Sequence, residues 1–185
     1  MVIEIYSQQF SWSARYAGED NQLGFANVGL IKGANVLGVD SNDLRSGDDI
    51  IVDELHLPVG KPVLLKFRSQ DVIHSAYLPH FRVKMDCVPG LPTQFMFTPT
   101  YTTAEYKEKL KNKKFWKDID PKTGEPRWQN FKFELACAEL CGKSHFGMQK
   151  NVVVVTQAEY DEWLAKQKPF YETVVKDAMS KIDNQ

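Results

Sequence analysis

A succession of short apolar segments, each closed by Gly, Pro or Asp, constrains this chain most. "VIEIY" and "FSWSARY" alternate apolar and polar side chains at period two, and "YAGEDNQLG" follows as turn chemistry. "IIVDELHLP", "PVLLKFRS", "VIHSAYLP" and "TQFMFTPT" read as further strands at the spacing of a sandwich or barrel, with "NVLGVDSNDLRSGDD" as a loop before them. "FKFELAC" and "NVVVVT" add two more. Strands that follow one another without intervening helices predict packed β layers, not alternating β-α units.

Two helical segments interrupt the strands. "TTAEYKEKLKNKKFW" opens on a Thr102–Glu105 capping box and sets Tyr106 and Leu110 one turn apart. "TQAEYDEWLAKQ" opens on a second box, Thr156–Glu159, and places Tyr160, Trp163 and Leu164 on one face. Pro169 ends that helix, and a weaker amphipathic tail runs to Gln185. The expectation is one β domain over 1–168, interrupted by an insertion at 101–130 and followed by a helical tail at 169–185.

Why the domain should be of copper type follows from "ELACAELCGKSHFGMQ", the loop between the last two strands. Cys137, Glu139, Cys141, His145 and Met148 fall within twelve positions there, and the chain has only one other cysteine, Cys87. Thiolate and thioether are soft ligands and imidazole is borderline, so the set selects copper, zinc or iron–sulfur. A structural zinc site would leave Met148 idle. A blue-copper site uses one Cys, a nearby His, a distant His and a weak axial Met; this loop has one Cys more, which can bridge a second ion. The distant His comes from His56, His74 or His80, and His74 is favoured by its place at a strand end beside Ser75.

Composition removes other classes. The net charge of −1 gives no basic excess for nucleic acid. The run Lys107, Lys109, Lys111, Lys113, Lys114, Lys117 is interrupted by acids and reads as a solvated face. No apolar run approaches the roughly 18–20 residues that span a bilayer, and Met1 leads straight into "VIEIY", unlike a signal peptide. Three cysteines do not suit a disulfide framework and point to metal or redox chemistry.

"DVIHSAYLPHFRVKMDCVPG" and "CAELCGKSHFGM", with "QQFSWSARYAG" near the start, resemble the copper domain of cytochrome c oxidase subunit II. The Cys-x-Glu-x-Cys-Gly-x-x-His-x-x-Met pattern with its upstream His carries the likeness, which covers roughly residues 3 to 18, 50 to 100 and 131 to 167. The resemblance implies a mainly β, cupredoxin-like Greek-key sandwich with a helical insertion and a C-terminal helix. It also implies a binuclear, mixed-valence copper centre. Cys137 and Cys141 would bridge two copper ions, and His74 and His145 would each bind one. Met148 and the Glu139 carbonyl would be weak axial ligands, and the Glu139 carboxylate would reach a magnesium or manganese shared with subunit I.

On this reading the domain takes electrons from a c-type cytochrome or a small copper protein and passes them to the heme of subunit I, which reduces dioxygen. The isolated domain would have no turnover of its own. A copper chaperone would load it. The family places it on the periplasmic face of the bacterial inner membrane, anchored by two N-terminal helices that this sequence lacks.

The chain departs from relatives in three places. Phe10 stands where many have a Trp through which electrons come in, with Trp12 two residues on, so both are input candidates. The 101–130 segment exceeds the usual short connection, and Cys87 replaces a small residue. Two other classes remain in competition. A Sco-type chaperone or thiol–disulfide oxidoreductase would need a thioredoxin-like fold. The copper domain of nitrous oxide reductase normally has an aromatic residue where Glu139 stands.

Overall fold

In the computed structural model, which describes residues 1–172, the alternating segments become ten strands. They are β1 (Val2–Gln8), β2 (Ser11–Tyr16), β3 (Ile50–Val52), β4 (Leu55–Pro58), β5 (Val63–Ser69), β6 (His74–Leu78), β7 (Val83–Cys87), β8 (Thr93–Phe97), β9 (Phe133–Cys137) and β10 (Gln149–Val155). Two five-stranded sheets result, ordered β3-β2-β1-β5-β8 and β4-β10-β9-β6-β7. The period-two pattern explains the burial: in β5, Val63, Leu65, Phe67 and Ser69 are buried and the residues between them are not. Ile3, Ile5, Leu57, Leu135 and Val154 join them in one core between the sheets. Each such side chain contributes about 1.5–3 kcal/mol by leaving water. The fold is the expected β-sandwich with helices.

"IIVDELHLP" reads as one strand in the sequence but forms two. β3 closes the edge of the first sheet beside β2, and β4 pairs with β10 in the second. The chain crosses between sheets at Asp53–Glu54, a charged, weakly strand-forming pair that sits at the bend. β7 was not among the expected strands, although "VKMDC" carries the same alternation.

Both capping boxes form as expected, opening α1 (Thr103–Leu110) and, after the four-residue α2 (Lys114–Lys117), α3 (Gln157–Leu164). The first helix is shorter than its pattern suggested. Like charges one turn apart, Lys107 with Lys111 and Lys109 with Lys113, disfavour its continuation beyond the buried Leu110. The insertion nonetheless packs on the sandwich through Leu110, Tyr106, Trp116 and Trp128. β9 runs from Phe133 into the metal-ligand loop, so the insertion that precedes it lies at the opposite pole. The expected tail helix lies outside the described residues beyond position 172; Phe170 is buried beside Tyr6, Leu37 and Val39.

A buried ionic cluster ties the 18–49 loop to the first sheet. Arg15 donates to Glu4 Oε2 at 2.9–3.0 Å and to Asp49 Oδ2 at 3.0 Å, while Arg68 lies 2.7 Å from Glu4 Oε1. Asp49 Oδ1 is buried without a hydrogen-bond partner. Burial therefore raises the Asp49 carboxyl from 3.8 to about 6, against the opposing pull of Arg15. A carboxyl raised on folding favours the folded state while it is protonated, and that contribution is lost as pH rises from about 4 to about 6. Compared with Asp49→Asn, the wild-type chain should lose up to about 3 kcal/mol across this window. Urea unfolding of both proteins at a series of pH values measures the difference.

Candidate metal centre

His74 opens β6 and is fully buried, while Cys137 closes β9; the two strands are neighbours, which brings both residues to one pole. The Nδ1 of His74 lies 3.8 Å from Cys137 Sγ, and its Nε2 lies 2.9 Å from Asp71 Oδ1. A carboxylate only accepts, so Nε2 is the nitrogen that donates to Asp71, and Nδ1 is the one turned toward the thiol. Partial burial acts to raise the Asp71 carboxyl, but donation from Gln9 N, His74 and Val72 N together holds it below the usual range.

The loop supplies the rest. Cys141 Sγ stands 3.9 Å from Cys137 Sγ, 3.6 Å from His145 Nδ1 and 3.8 Å from Met148 Sδ. All three cysteines are free thiols. The donor atoms of His74, Cys137 and Cys141 lie within 4.8 Å of one another. His145 stands outside that group, against Cys141. Burial pushes the Cys141 thiol up to about 11, with Cys137 adding to the shift. Metal–sulfur bonds of about 2.3 Å let one ion bridge two sulfurs up to about 4.6 Å apart, and the observed separation is inside that limit.

The β1–β2 turn braces this arrangement. Gln9 Nε2 donates to Cys141 O at 2.6 Å, and Gln9 N donates to Asp71 Oδ2 at 2.7 Å. Met148 O accepts from both Trp12 Nε1 and Cys137 N, each at 3.1 Å. Of the two input candidates, Phe10 is 36 % exposed and Trp12 only 4 %, with the Trp12 ring edge-on to His74. Glu139 is exposed, and its carboxylate has no partner among the described residues; its carbonyl lies 3.2 Å from Cys137 Sγ. Leu140 and Phe146 are 82 % and 84 % exposed on the same loop.

The other histidines stand elsewhere. The His56 ring stacks on Trp163 at 4.4 Å, and His80 packs edge-on against Phe131 at the far pole. Cys87 faces His74 across the β6–β7 pair, fully buried, with its thiol raised to about 12 by burial. Asp71, Gln9 and Gly142 were not singled out from the sequence. Asp71 had a signal, an acid three residues before the favoured His, whereas Gln9 and Gly142 acquire their roles only through tertiary contact.

A sequence model of the periplasmic domain of cytochrome c oxidase subunit II matches residues 1–108. The chain belongs to that family. The matched stretch ends inside α1, ahead of the ligand loop. Among curated relatives of the family, the alternative cytochrome c oxidase subunit 2 of Bradyrhizobium diazoefficiens is 37 % identical over 170 residues, 91 % of this chain and 51 % of that protein. The cytochrome c oxidase subunit 2 of Thermostichus vulcanus is 34 % identical over 115 residues, 62 % of this chain and 26 % of that protein. The chain thus spans about half the length of the first and about a quarter of the second. The crystal structure of the periplasmic domain of subunit II of the Bradyrhizobium japonicum cytochrome oxidase superposes with a TM-score of 0.54 at 24 % identity, over 89 % of this chain and 91 % of that one. That likeness is one of fold. The His74–Cys137–Cys141 group of this family member is compatible with copper. The two-sheet sandwich has no place for the thioredoxin-like fold that the chaperone reading required.

Removing Asp71 should loosen His74 without unfolding the domain, because Asp71 lies at the surface end of its contacts. Asp71→Ala is expected to weaken copper binding about 10–100-fold. A competition titration against a chelator of known affinity, with circular dichroism as the fold control, reads this directly.

Proposed function

We propose that the chain is the electron-transfer domain of a cytochrome c oxidase subunit II and holds two copper ions in one mixed-valence centre. The observation that carries this reading is the pairing of donors: two thiols 3.9 Å apart, each with its own imidazole nitrogen, at 3.8 and 3.6 Å. A single tetrahedral ion would gather all four donors into one group, whereas His145 meets Cys141 but lies outside the group that His74, Cys137 and Cys141 form. Bound copper would supply reversible one-electron exchange. His74, Cys137, Cys141 and His145 would hold the copper, with Met148 and the Glu139 carbonyl as weaker donors.

The chain's own part is to hold these donors still. The hydrogen bonds from Gln9 and Trp12 fix the loop backbone on either side of the ligands, and the Asp71 carboxylate fixes the His74 ring. Burial of Cys141, His74 and Met148 keeps water from the inner side of the centre. A framework of this kind limits reorganisation when one electron is gained or lost.

In the assembled oxidase, electrons would come from a c-type cytochrome or a small copper protein through the Phe10 side and leave to the heme of subunit I. The exposed Leu140 and Phe146 give the loop an apolar crown suited to a partner surface. The unpartnered Glu139 carboxylate would complete a magnesium or manganese site with subunit I. The domain would work at the periplasmic face of the inner membrane, tethered through helices outside this sequence and loaded by a copper chaperone.

Electron paramagnetic resonance of the copper-loaded chain, with a metal count, tests the core of this reading. One unpaired electron coupled equally to two copper nuclei, at two coppers per chain, is the expected result. Coupling to a single nucleus, or a silent site holding one zinc, would overturn it.

A further inference from the structure

The pole opposite the metal loop carries a cavity of about 250 Å³ that electron transfer does not use. It opens where α1 of the insertion meets the sandwich, and the rings of Phe81, Phe97, Tyr106 and Phe133 line it. These rings brace one another: Phe81 lies 5.2 Å from Phe97 and 4.9 Å from Phe133, and Tyr106 lies 5.1 Å from Phe133. They come from four separate elements, so the wall is part of the tertiary core and not of one mobile loop.

Polar side chains complete the lining: Thr98, Thr100, Tyr101, His80 and, exposed at the rim, Arg82. The His80 ring meets Tyr106, Phe131 and Phe133 edge-on and makes no hydrogen bond among the described residues. Burial lowers its pKa, although Glu134 opposes this, so the imidazole is neutral near pH 7. The Arg82 guanidinium has no carboxylate or carbonyl partner among the described residues. Its backbone sits in the left-handed region, φ 56°, which a residue with a side chain seldom adopts. An aromatic cavity flanked by an unpaired guanidinium and an unbonded imidazole is a small set of polar groups converging on an apolar pocket.

We propose that this cavity binds a small aromatic carboxylate. The ring packs against the wall formed by Phe81, Phe97 and Tyr106, offset or edge-on as aromatic pairs prefer. The carboxylate takes the two-pronged hydrogen bond that a guanidinium offers, and His80 supplies one more polar contact. The volume, a little below the usual range for ligand pockets, leaves room for a single ring. Since α1 forms one wall, an occupied cavity fastens the insertion to the sandwich. The site is far from the metal, because β6 alone separates His74 from Leu78 by about 13 Å.

Isothermal titration of the full 185-residue chain with phenylacetate tests the site, with 2-phenylethanol as the neutral analogue. Saturable one-to-one binding is expected, weakened at least about tenfold for the alcohol and for Arg82→Gly. The left-handed backbone accepts glycine, so this variant keeps the fold and its thermal midpoint does not fall. No saturable binding up to about 10 mM, or equal affinity of the wild type and Arg82→Gly, would overturn the proposal.

Discussion

Cys141→Ser is expected to reduce bound copper from two ions per chain to at most one and to abolish two-nucleus coupling. Three other donors converge on this one sulfur: Cys137, His145 and Met148 all approach it within 3.9 Å. A hydroxyl is a hard, weakly acidic ligand that does not replace a thiolate for copper. The sandwich should survive the change, because the loop lies at one end of the sheets and its backbone is held by Gln9 and Met148 contacts that do not involve the sulfur. Cys87→Ser is the matching control. Cys87 is buried beneath His74, so the added hydroxyl should lower stability by about 1–3 kcal/mol while both coppers are retained. Metal analysis and paramagnetic resonance on the two variants separate a ligand from a buried thiol. Two coppers retained in Cys141→Ser would remove the paired-thiol assignment.

The second large effect is expected at a residue that touches no metal. Gly142 has φ +138°, a conformation that side-chain residues rarely adopt. A Cβ built there meets the Phe10 ring at 2.8 Å and Gln9 Nε2 at 3.0 Å. Gly142→Ala therefore combines backbone strain of about 1–3 kcal/mol with an overlap against the residues that hold Cys141. Displacement of Gln9 releases Cys141 O, so the damage reaches the ligand through one hydrogen bond. Copper affinity should fall about tenfold or more, and the strain should lower the thermal midpoint of the metal-free domain by several degrees, about 2–4 °C per kcal/mol. Adding Phe10→Ala should recover part of the loss, the part due to overlap, and leave the strain. An unchanged copper affinity in Gly142→Ala would mean that the loop does not need this backbone.

Much of this was legible from residue patterns because the relevant signals are local. Period-two alternation marked β1 and β2, Gly, Pro and Asp boundaries marked β5, and Thr–x–x–Glu marked the first turns of α1 and α3. The soft-ligand cluster from Cys137 to Met148 stood out because all its members share one loop. What was not legible depends on pairing. The split of "IIVDELHLP" into β3 and β4 is decided by two different partner strands, β2 and β10. His74 was favoured over His56 and His80 by its strand end and by the resemblance, but what sets it against Cys137 is β6 lying beside β9, which no spacing encodes. Gln9 looks like any exposed turn residue until the turn is folded onto Cys141.

The strand order also governs when the centre can exist. β1 lies inside its sheet and pairs in parallel with β5, so Val2 waits for Leu64; β4 waits in the same way for β10, where Leu55 meets Val152. Pairings of such sequence separation fold slowly, because much chain must be closed before any contact rewards it. The ligand loop directly precedes β10, and Met148 O is held by Trp12 from the opposite end of the chain. Completion of the second sheet and ordering of the donors thus depend on the same long-range closures. Before those closures the two loop thiols lie on an open chain, where capture of a metal would compete with oxidation.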